Sequence, residues 1–261
     1  MARVRCRDSI PALVIGVCAL MVLGACTSAE TDALPATPTP APFATAQCRQ
    51  GADWPASTDL TPVGRTAGDI DFDGLADDVS VFAERIEGNE GDEGNAAAWV
   101  RVRFGNLGVV TGPWAGQGFE PVDDLQIRVT QLSASPEGSE LAEIILQVGQ
   151  PTGQRRWSVL ATQHCELVTT SLDGAVFEFN TGSDSGISSS GGCIYDAEDE
   201  VAFVLVRRDL NEGAWDTENY ELRATEWQLI DSTRIADFPV GDGSVYFPIG
   251  PTLDSCVPAP G

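Results

Sequence analysis

The sequence predicts an all-β fold, and three observations support this prediction. Short apolar runs alternate with polar residues at a period of two, which is typical of strands that bury one face. Gly, Pro, Asn and Asp separate these runs, as turn residues do. In residues 99–104, Arg101 and Arg103 alternate with Val100, Val102 and Phe104. One face of this strand is therefore expected to meet water.

The predicted strands follow one another along most of the chain after residue 78. In order, they are residues 79–82, 99–104, 127–130, 144–148, 157–161, 176–179, 201–206, 220–230 and 245–247. Each is rich in the β-branched and aromatic residues that fit a pleated surface. Residues 182–192, which are mostly Ser and Gly, are expected to form a surface loop instead.

A weak internal repeat is visible among these strands. An acidic residue leads into an apolar strand at Asp78, Glu143 and Glu200, and an aromatic residue marks the strand that follows. The spacing predicts about three antiparallel, four-stranded units. Such units are arranged either like the blades of a β-propeller or as meander sheets. Both arrangements remain open at this point.

The charge of the chain excludes some classes of partner. Its 261 residues include 15 basic and 39 acidic side chains, a formal net charge of -24, and the basic side chains are all arginine. Such a surface repels phosphate backbones and anionic lipid headgroups, which excludes nucleic-acid binding and attachment to membranes through a basic patch. The hydrophobic content of 43% is sufficient for a core and excludes global disorder.

The first residues have the features of a secretory signal that ends at a lipidation site. Arg3, Arg5 and Arg7 precede an apolar run at residues 10–23, which is short for a bilayer span but typical of a signal peptide. Residues 23–26 (Leu, Gly, Ala, Cys) resemble the lipobox of bacterial lipoproteins. This resemblance implies cleavage after residue 25 and lipidation of Cys26, with diacylglyceryl and palmitate chains as the anchor. The expected location is the cell membrane, on its extracytoplasmic face.

The remaining chain is expected to consist of a tether and one domain. Residues 26–47 contain Pro35, Pro38, Pro40 and Pro42 separated by Ala and Thr, a composition that favours polyproline II. At about 3.1 Å per residue, this segment reaches roughly 60 Å. Residues 48–261 then form the all-β domain with its three units. Loss of residues 1–25 removes three Arg and one Asp, so the mature charge changes from -24 to -26.

Four cysteines belong to the predicted domain: Cys48, Cys165, Cys193 and Cys256. An even number of cysteines in an oxidising compartment predicts two disulfides. Three pairings are possible. We favour Cys48 with Cys256, which would join the ends of the domain, and Cys165 with Cys193.

One motif has the composition of a metal site. Residues 69–77 follow the pattern D-x-D-x-D-G-x-x-D, with Asp69, Asp71, Asp73 and Asp77 as carboxylates. Alternate carboxylates can surround one hard cation, and the Leu75 carbonyl can complete the oxygen shell. Calcium fits best because it accepts 6–8 flexible oxygen ligands. The alternative is an Asp-rich turn that needs no ion.

This motif resembles the calcium loop of the FG-GAP/VCBS repeat family, in which such a loop leads into an apolar strand. The resemblance covers residues 65–83 and implies that the four Asp side chains are ligands and that Gly74 is the turn glycine. Phe72 departs from the family pattern, which usually has Gly at that position. The later units lack a comparable loop.

No catalytic constellation is evident in the sequence. His164 is the one histidine, and no nucleophile motif accompanies it. Glu178, between Phe177 and Phe179, is a candidate for a carboxylate with a raised pKa. The sequence therefore predicts a non-enzymatic, calcium-stabilised binding or adhesion module at the cell envelope, with a protein or polysaccharide ligand. The alternative is a secreted, carboxylate-dependent hydrolase that acts on glycans.

Overall fold

Antiparallel β-strands make up nearly all the regular structure in the computed structural model of this protein. The structure describes residues 48, 60–85, 96–132, 141–163, 165–195, 201–209, 211–235 and 251–256. All of them belong to the unit Ala41–Gly261.

Fifteen strands and one short 3-10 helix are present in these ranges. The strands are β1 (Leu60–Gly68), β2 (Asp77–Arg85), β3 (Ala96–Arg103), β4 (Val109–Pro113), β5 (Ile127–Thr130), β6 (Glu143–Gly149), β7 (Gln154–Gln163), β8 (Glu166–Thr169), β9 (Ser171–Leu172), β10 (Ala175–Val176), β11 (Glu178–Asp184), β12 (Ile187–Tyr195), β13 (Val201–Asp209), β14 (Ala214–Arg223) and β15 (Glu226–Ile235). The 3-10 helix is Leu253–Cys256.

The strands form two meander sheets, which confirms the all-β prediction. Strands β1–β4 form a four-stranded sheet in sequence order, and the remaining strands form an 11-stranded sheet in the order β10-β9-β15-β14-β13-β12-β11-β7-β6-β5, with β8 beside β7. Neighbouring strands are antiparallel, except that β15 and β9 pair in parallel. The described strands therefore form meanders and do not close into a propeller.

Two hydrophobic cores lie on opposite faces of strand β6. Ile144 and Leu146 belong to a first core shared with β2, β3 and β4, whereas Ile145 belongs to a second core shared with β7, β11, β13 and β15. Every residue of β6 is buried. Its run of three apolar residues, 144–146, fits this position, because a strand covered on both faces has no need for strict polar alternation.

The second core is built largely from aromatic rings. The rings of Phe177 and Trp227 stack with their centroids 4.6 Å apart, and Phe179 meets Phe203 edge-on at 5.0 Å. The buried Trp227 indole N–H donates to the Thr170 hydroxyl at 2.9 Å. The one polar atom of this indole is thus satisfied inside an apolar cluster, as a buried tryptophan requires.

Most predicted strands are confirmed, and two expectations about individual segments are wrong. Residues 182–192 are not a surface loop, because β11 and β12 pair with each other and β12 pairs with β13 along its whole length. Residues 220–230 are not one strand, because the chain turns at Ala224, where φ is 56°. Residues 245–247 lie outside the described part of the chain. The alternation in β3 is as predicted, with Val100 and Val102 buried and Arg103 exposed.

The four cysteines of the domain form two disulfides, but not in the pairing we favoured. Cys48 is bonded to Cys165, and Cys193 is bonded to Cys256. The Cys48 carbonyl accepts a hydrogen bond from Val109 at the start of β4, which places it at the first core together with Cys165. The Ser255 hydroxyl bonds the backbone of Cys193, which holds the 3-10 helix and Cys256 against β12. The two pairs are separated because they belong to different cores.

The predicted signal, Cys26 and the tether lie outside the described residues. Within the described ranges, no helix has the length and apolar character needed to cross a bilayer.

Candidate functional site

The Asp-rich loop connects β1 to β2 at one end of the four-stranded sheet. Gly68 and Asp77 are directly opposite each other in the β1–β2 pairing, so the sheet fixes both ends of the loop. Ile70 is fully buried in the first core and anchors the loop from within. Its backbone N–H donates to Asp77 Oδ2 at 2.6 Å.

Two of the loop carboxylates hold its turn together. Asp69 accepts hydrogen bonds from the backbone N–H groups of Asp73 and Gly74, at 3.1 and 3.0 Å. Asp73 accepts one from the backbone N–H of Leu75 at 2.8 Å. These are the local bonds by which Asp favours turns. They leave lone pairs on the carboxylate oxygens, because an ionised carboxylate offers about four acceptor sites.

The tight turn requires positive φ at two positions. Gly74 has φ 82°, which glycine adopts without steric cost. Phe72 has φ 54°, in the left-handed region that disfavours residues with a Cβ atom. Its ring is about half exposed. Phe72 therefore holds a backbone conformation that glycine would adopt at a lower cost.

Three of the four predicted carboxylate ligands come together. Asp69, Asp71 and Asp77 each place one oxygen so that the three atoms lie within 4.8 Å of one another. Oxygens on opposite sides of a calcium ion are about 5 Å apart, since each lies about 2.3–2.6 Å from the ion. Asp73 is exposed and is not one of the three, and the Leu75 side chain is exposed as well. These three carboxylates could therefore hold a metal ion.

A second loop, between β3 and β4, supports the first from the side. The backbone N–H of Gly105 donates to Asp77 Oδ1 at 2.8 Å, and Asn106 Nδ2 donates to Asp71 Oδ2 at 3.1 Å. Asn106 was not predicted from the sequence. Its position between Gly105 and Leu107, with a further Gly at 108, marks a tight turn but does not show that the turn reaches the Asp loop.

Burial raises the pKa of the Asp77 carboxyl above its usual range. The hydrogen bonds from Ile70 and Gly105 lower this pKa, and the charges of Asp71 and Asp73 raise it again. Asp77 is 1% exposed, so water does little to offset the repulsion. The loop therefore gathers negative charge at a cost that a bound cation would relieve.

The other sequence candidates have different environments. Glu178 lies on β11 beside a groove in the 11-stranded sheet, and burial raises its pKa, although Arg156 at 3.9 Å offsets part of that rise. Trp114 is 4% exposed and belongs to the first core, so its ring is not a surface contact for a ligand. His164 lies outside the described residues.

Comparisons with known proteins identify no family. No protein-family model matches the sequence, and no curated protein matches it. Among solved structures, the exotype rhamnogalacturonan lyase YesX is similar over 67% of this chain, with a TM-score of 0.36 and 11% sequence identity. The matched part is 33% of that enzyme's chain.

Proposed function

We propose that this protein is a lipid-anchored, extracytoplasmic binding module, without catalytic activity, whose β-domain is stabilised by calcium. The observation that supports the calcium site most directly is the convergence of oxygens from Asp69, Asp71 and Asp77. The role of the ion is structural, because the loop joins β1 to β2 and is bonded to the β3–β4 turn. A cation there holds three strands of the first sheet in register.

Thermal unfolding of the full chain in detergent tests the calcium site. Extracellular calcium modules bind with a Kd on the order of 10⁻⁴–10⁻³ M, so about 10 mM calcium is expected to stabilise the fold by about 1–3 kcal/mol relative to chelator. The melting temperature should rise by roughly 3–10 °C. Magnesium at the same concentration should have a smaller effect, because it requires near-octahedral geometry and retains its waters.

The matched variants for this experiment are Asp71→Asn and Asp123→Asn. Asp71 belongs to the cluster, whereas Asp123 is an exposed acid outside it. Asp71→Asn should remove most of the calcium response, and Asp123→Asn should keep it. Identical melting temperatures with calcium and with chelator in the unmodified protein would refute a calcium role.

The lipid anchor is tested at Cys26. Replacement by Ser should abolish incorporation of labelled palmitate and release the protein from the membrane fraction, because both acyl chains depend on that thiol. Cys6→Ser, which changes a cysteine of the signal before the cleavage site, is the matched control and should retain the label. Membrane association of the Cys26→Ser variant equal to that of the control would contradict the anchor.

A second candidate function is a carboxylate-dependent hydrolase of glycans. The observation in its favour is Glu178, a half-buried carboxyl beside a groove, with the raised pKa that a general acid requires. Release of reducing ends from glycans, lost in Glu178→Gln, would establish this function. Turnover that persists in that variant would exclude Glu178 as the acid.

A further inference from the structure

A groove lies on the 11-stranded sheet, away from the Asp loop. This groove has a volume of about 800 Å³. Strands β11 to β15 provide most of its lining, with Glu178, Leu205, Arg207, Asp216, Glu218 and Tyr220 among the contributing residues. We call it the sheet groove.

Charged residues lie in a fixed row across the floor of the sheet groove. Arg207 on β13 is directly opposite Asp216 on β14, which is directly opposite Arg234 on β15. Residues directly opposite each other in antiparallel strands point to the same face. Arg234 Nη1 lies 3.4 Å from Asp216 Oδ1, and Arg207 Nη2 lies 3.5 Å from Asp209 Oδ2. Arg234 is therefore paired with Asp216 within the row, and Arg207 is paired with Asp209 on its own strand.

The next row adds a hydrogen-bond acceptor, Glu218, which is bonded to Tyr220. Leu205, Glu218 and Ser232 are directly opposite one another on β13, β14 and β15. The Tyr220 hydroxyl donates to Glu218 Oε2 at 2.8 Å, which fixes the carboxylate and leaves its other oxygen available as an acceptor. Ser189 on β12 is directly opposite Arg207 and adds a further hydroxyl group on the same face.

The groove carboxylates are spread out. Among the described residues, the Asp loop is the place where three acidic ligand atoms lie within 4.8 Å of one another. Asp216 and Glu218 offer acceptors on β14 and Glu178 offers one on β11, while Arg207 and Arg234 lie on either side of Asp216. This pattern suits an extended ligand with many hydroxyl groups rather than a single ion.

Charge and strand pairing narrow the class of ligand. The lining contains three carboxylates and two guanidinium groups on a chain of net charge -24, which disfavours acidic polymers. Strands β11 to β14 are each paired on both sides, so the groove floor offers no free backbone edge for an added peptide strand. Sugar hydroxyls both donate and accept, and carboxylate and guanidinium groups can each bond two of them.

We propose that the sheet groove binds a neutral oligosaccharide, with Asp216 and Glu218 accepting hydrogen bonds from its hydroxyl groups and Arg207 donating to them. This inference rests on the proposed function as a binding module and names its ligand class. It adds a site that is separate from the calcium loop, because the loop belongs to the four-stranded sheet.

Isothermal titration calorimetry of the full chain in detergent tests the proposal. The neutral probes are maltohexaose, cellohexaose, mannohexaose and xylohexaose. The charged probes are the anion hexagalacturonate and an arginine-rich, cationic hexapeptide. At least one neutral probe should bind, and hexagalacturonate should bind more weakly or not at all.

Asp216→Asn and Glu218→Gln should each weaken the binding of that neutral probe about tenfold or more, since each alters a charged hydrogen-bonding group. Asp123→Asn and Glu226→Gln, exposed acids that are not part of the groove lining, are the matched controls and should bind normally.

Several outcomes would overturn the proposal: no binding of any neutral probe, tighter binding of hexagalacturonate or of the peptide, or equal affinity in the groove variants and the controls. Melting temperatures of all variants show whether each is folded, and Arg207→Gln provides a third groove variant if one of the others is not. The calcium proposal is tested separately, because its readout is the calcium dependence of the melting temperature of the unmodified protein. Absence of that calcium response, with oligosaccharide binding intact, would refute only the calcium site.

Discussion

At the scale of single residues, the Asp loop combines a clear sequence motif with one strained backbone position, Phe72. Asp69, Asp71 and Asp77 could be predicted as part of one group because carboxylates close together in a tight turn can surround one hard cation. The sequence does not predict that Asp73 stays apart from the other three, because that depends on the direction in which the turn places each side chain. Asp73 instead accepts the Leu75 backbone N–H.

Phe72→Gly should stabilise the protein despite the loss of an aromatic ring. A Cβ atom in the left-handed region costs roughly 1–2 kcal/mol, and the Phe72 ring is 47% exposed and contributes little burial. Glycine loses more chain entropy on folding, so the expected net gain is about 0.5–1 kcal/mol. Phe72→Ala is the matched control, because it removes the ring and keeps the Cβ. Chemical denaturation should show a gain for Gly only; equal stability of the two variants would contradict this explanation.

Glu178 should make stability depend on pH in a predictable direction. Because burial raises its folded-state pKa above the ordinary value of 4.5, the folded protein retains a proton that the unfolded chain has lost. Stability contributed by this group is therefore lost as pH rises from about 4.5 through the raised value. Glu178→Gln should gain stability relative to the unmodified protein across that range, measured by urea denaturation between about pH 4 and 7. Glu226→Gln, an exposed control, should show no such trend.

At the scale of elements, the strands that could be predicted are those whose own sequence alternates or is uniformly apolar. Strand β5 occupies the predicted residues, and β6, which is buried on both faces, extends the predicted run by one residue at each end. Strand β12 was missed because its Ser and Gly residues have low strand propensity. It forms because every residue of β12 has a backbone partner on β13. Glycine fits at position 191 because a Cβ there would lie 2.9 Å from the Leu205 side chain.

Gly112→Ala tests how closely β4 and β8 approach. A Cβ at Gly112 would lie 2.4 Å from the Leu167 carbonyl oxygen, a backbone atom that cannot move without disturbing β8. We expect a loss of about 1–3 kcal/mol, the usual cost of overpacking. At Gly64 a Cβ would first meet the end of the Leu125 side chain at 2.8 Å, so Gly64→Ala should cost less because a side-chain end can rotate. Urea denaturation of both variants should show this order; the reverse order would count against the β4–β8 contact.

The disulfide pairing can be checked directly by peptide mapping without reduction. Peptides should be joined as Cys48 with Cys165 and Cys193 with Cys256. The double variant Cys193→Ser, Cys256→Ser should lose about 4 kcal/mol of stability, because the bond closes a loop with a sequence separation of 63. Finding Cys48 joined to Cys256 instead would show that the two cores are arranged differently.

At the scale of the whole molecule, the acidic side chains of the described residues are arranged in two different ways. The Asp loop gathers three acidic oxygens at the first sheet, while the sheet groove spaces its acids between arginines. The two regions belong to different sheets. Ion binding at one and ligand binding at the other can therefore be altered independently.

Salt should stabilise the protein when no divalent cation is present. A net charge of -24 repels itself more strongly in the compact state than in the unfolded chain. Raising sodium chloride from about 10 to 300 mM shortens the screening length from about 30 Å to below 10 Å. The melting temperature in chelator should therefore rise with salt, and scanning calorimetry in sodium and potassium chloride should give the same rise. A fall in both salts would contradict repulsion among the acidic side chains as the main electrostatic effect on stability.

The all-β class, most of the apolar strands, the Asp-rich loop and the four cysteines of the domain can all be predicted from the amino-acid sequence. These features are local: each depends on the spacing of residues a few positions apart. Long-range contacts in the folded chain determine that β5–β15 join one large sheet, which cysteines meet, that Asn106 supports the loop, and that Arg207, Asp216 and Glu218 share one face. Those contacts join residues far apart in the chain, and which strand packs beside which depends on the free energy of burying both cores together rather than on any one segment.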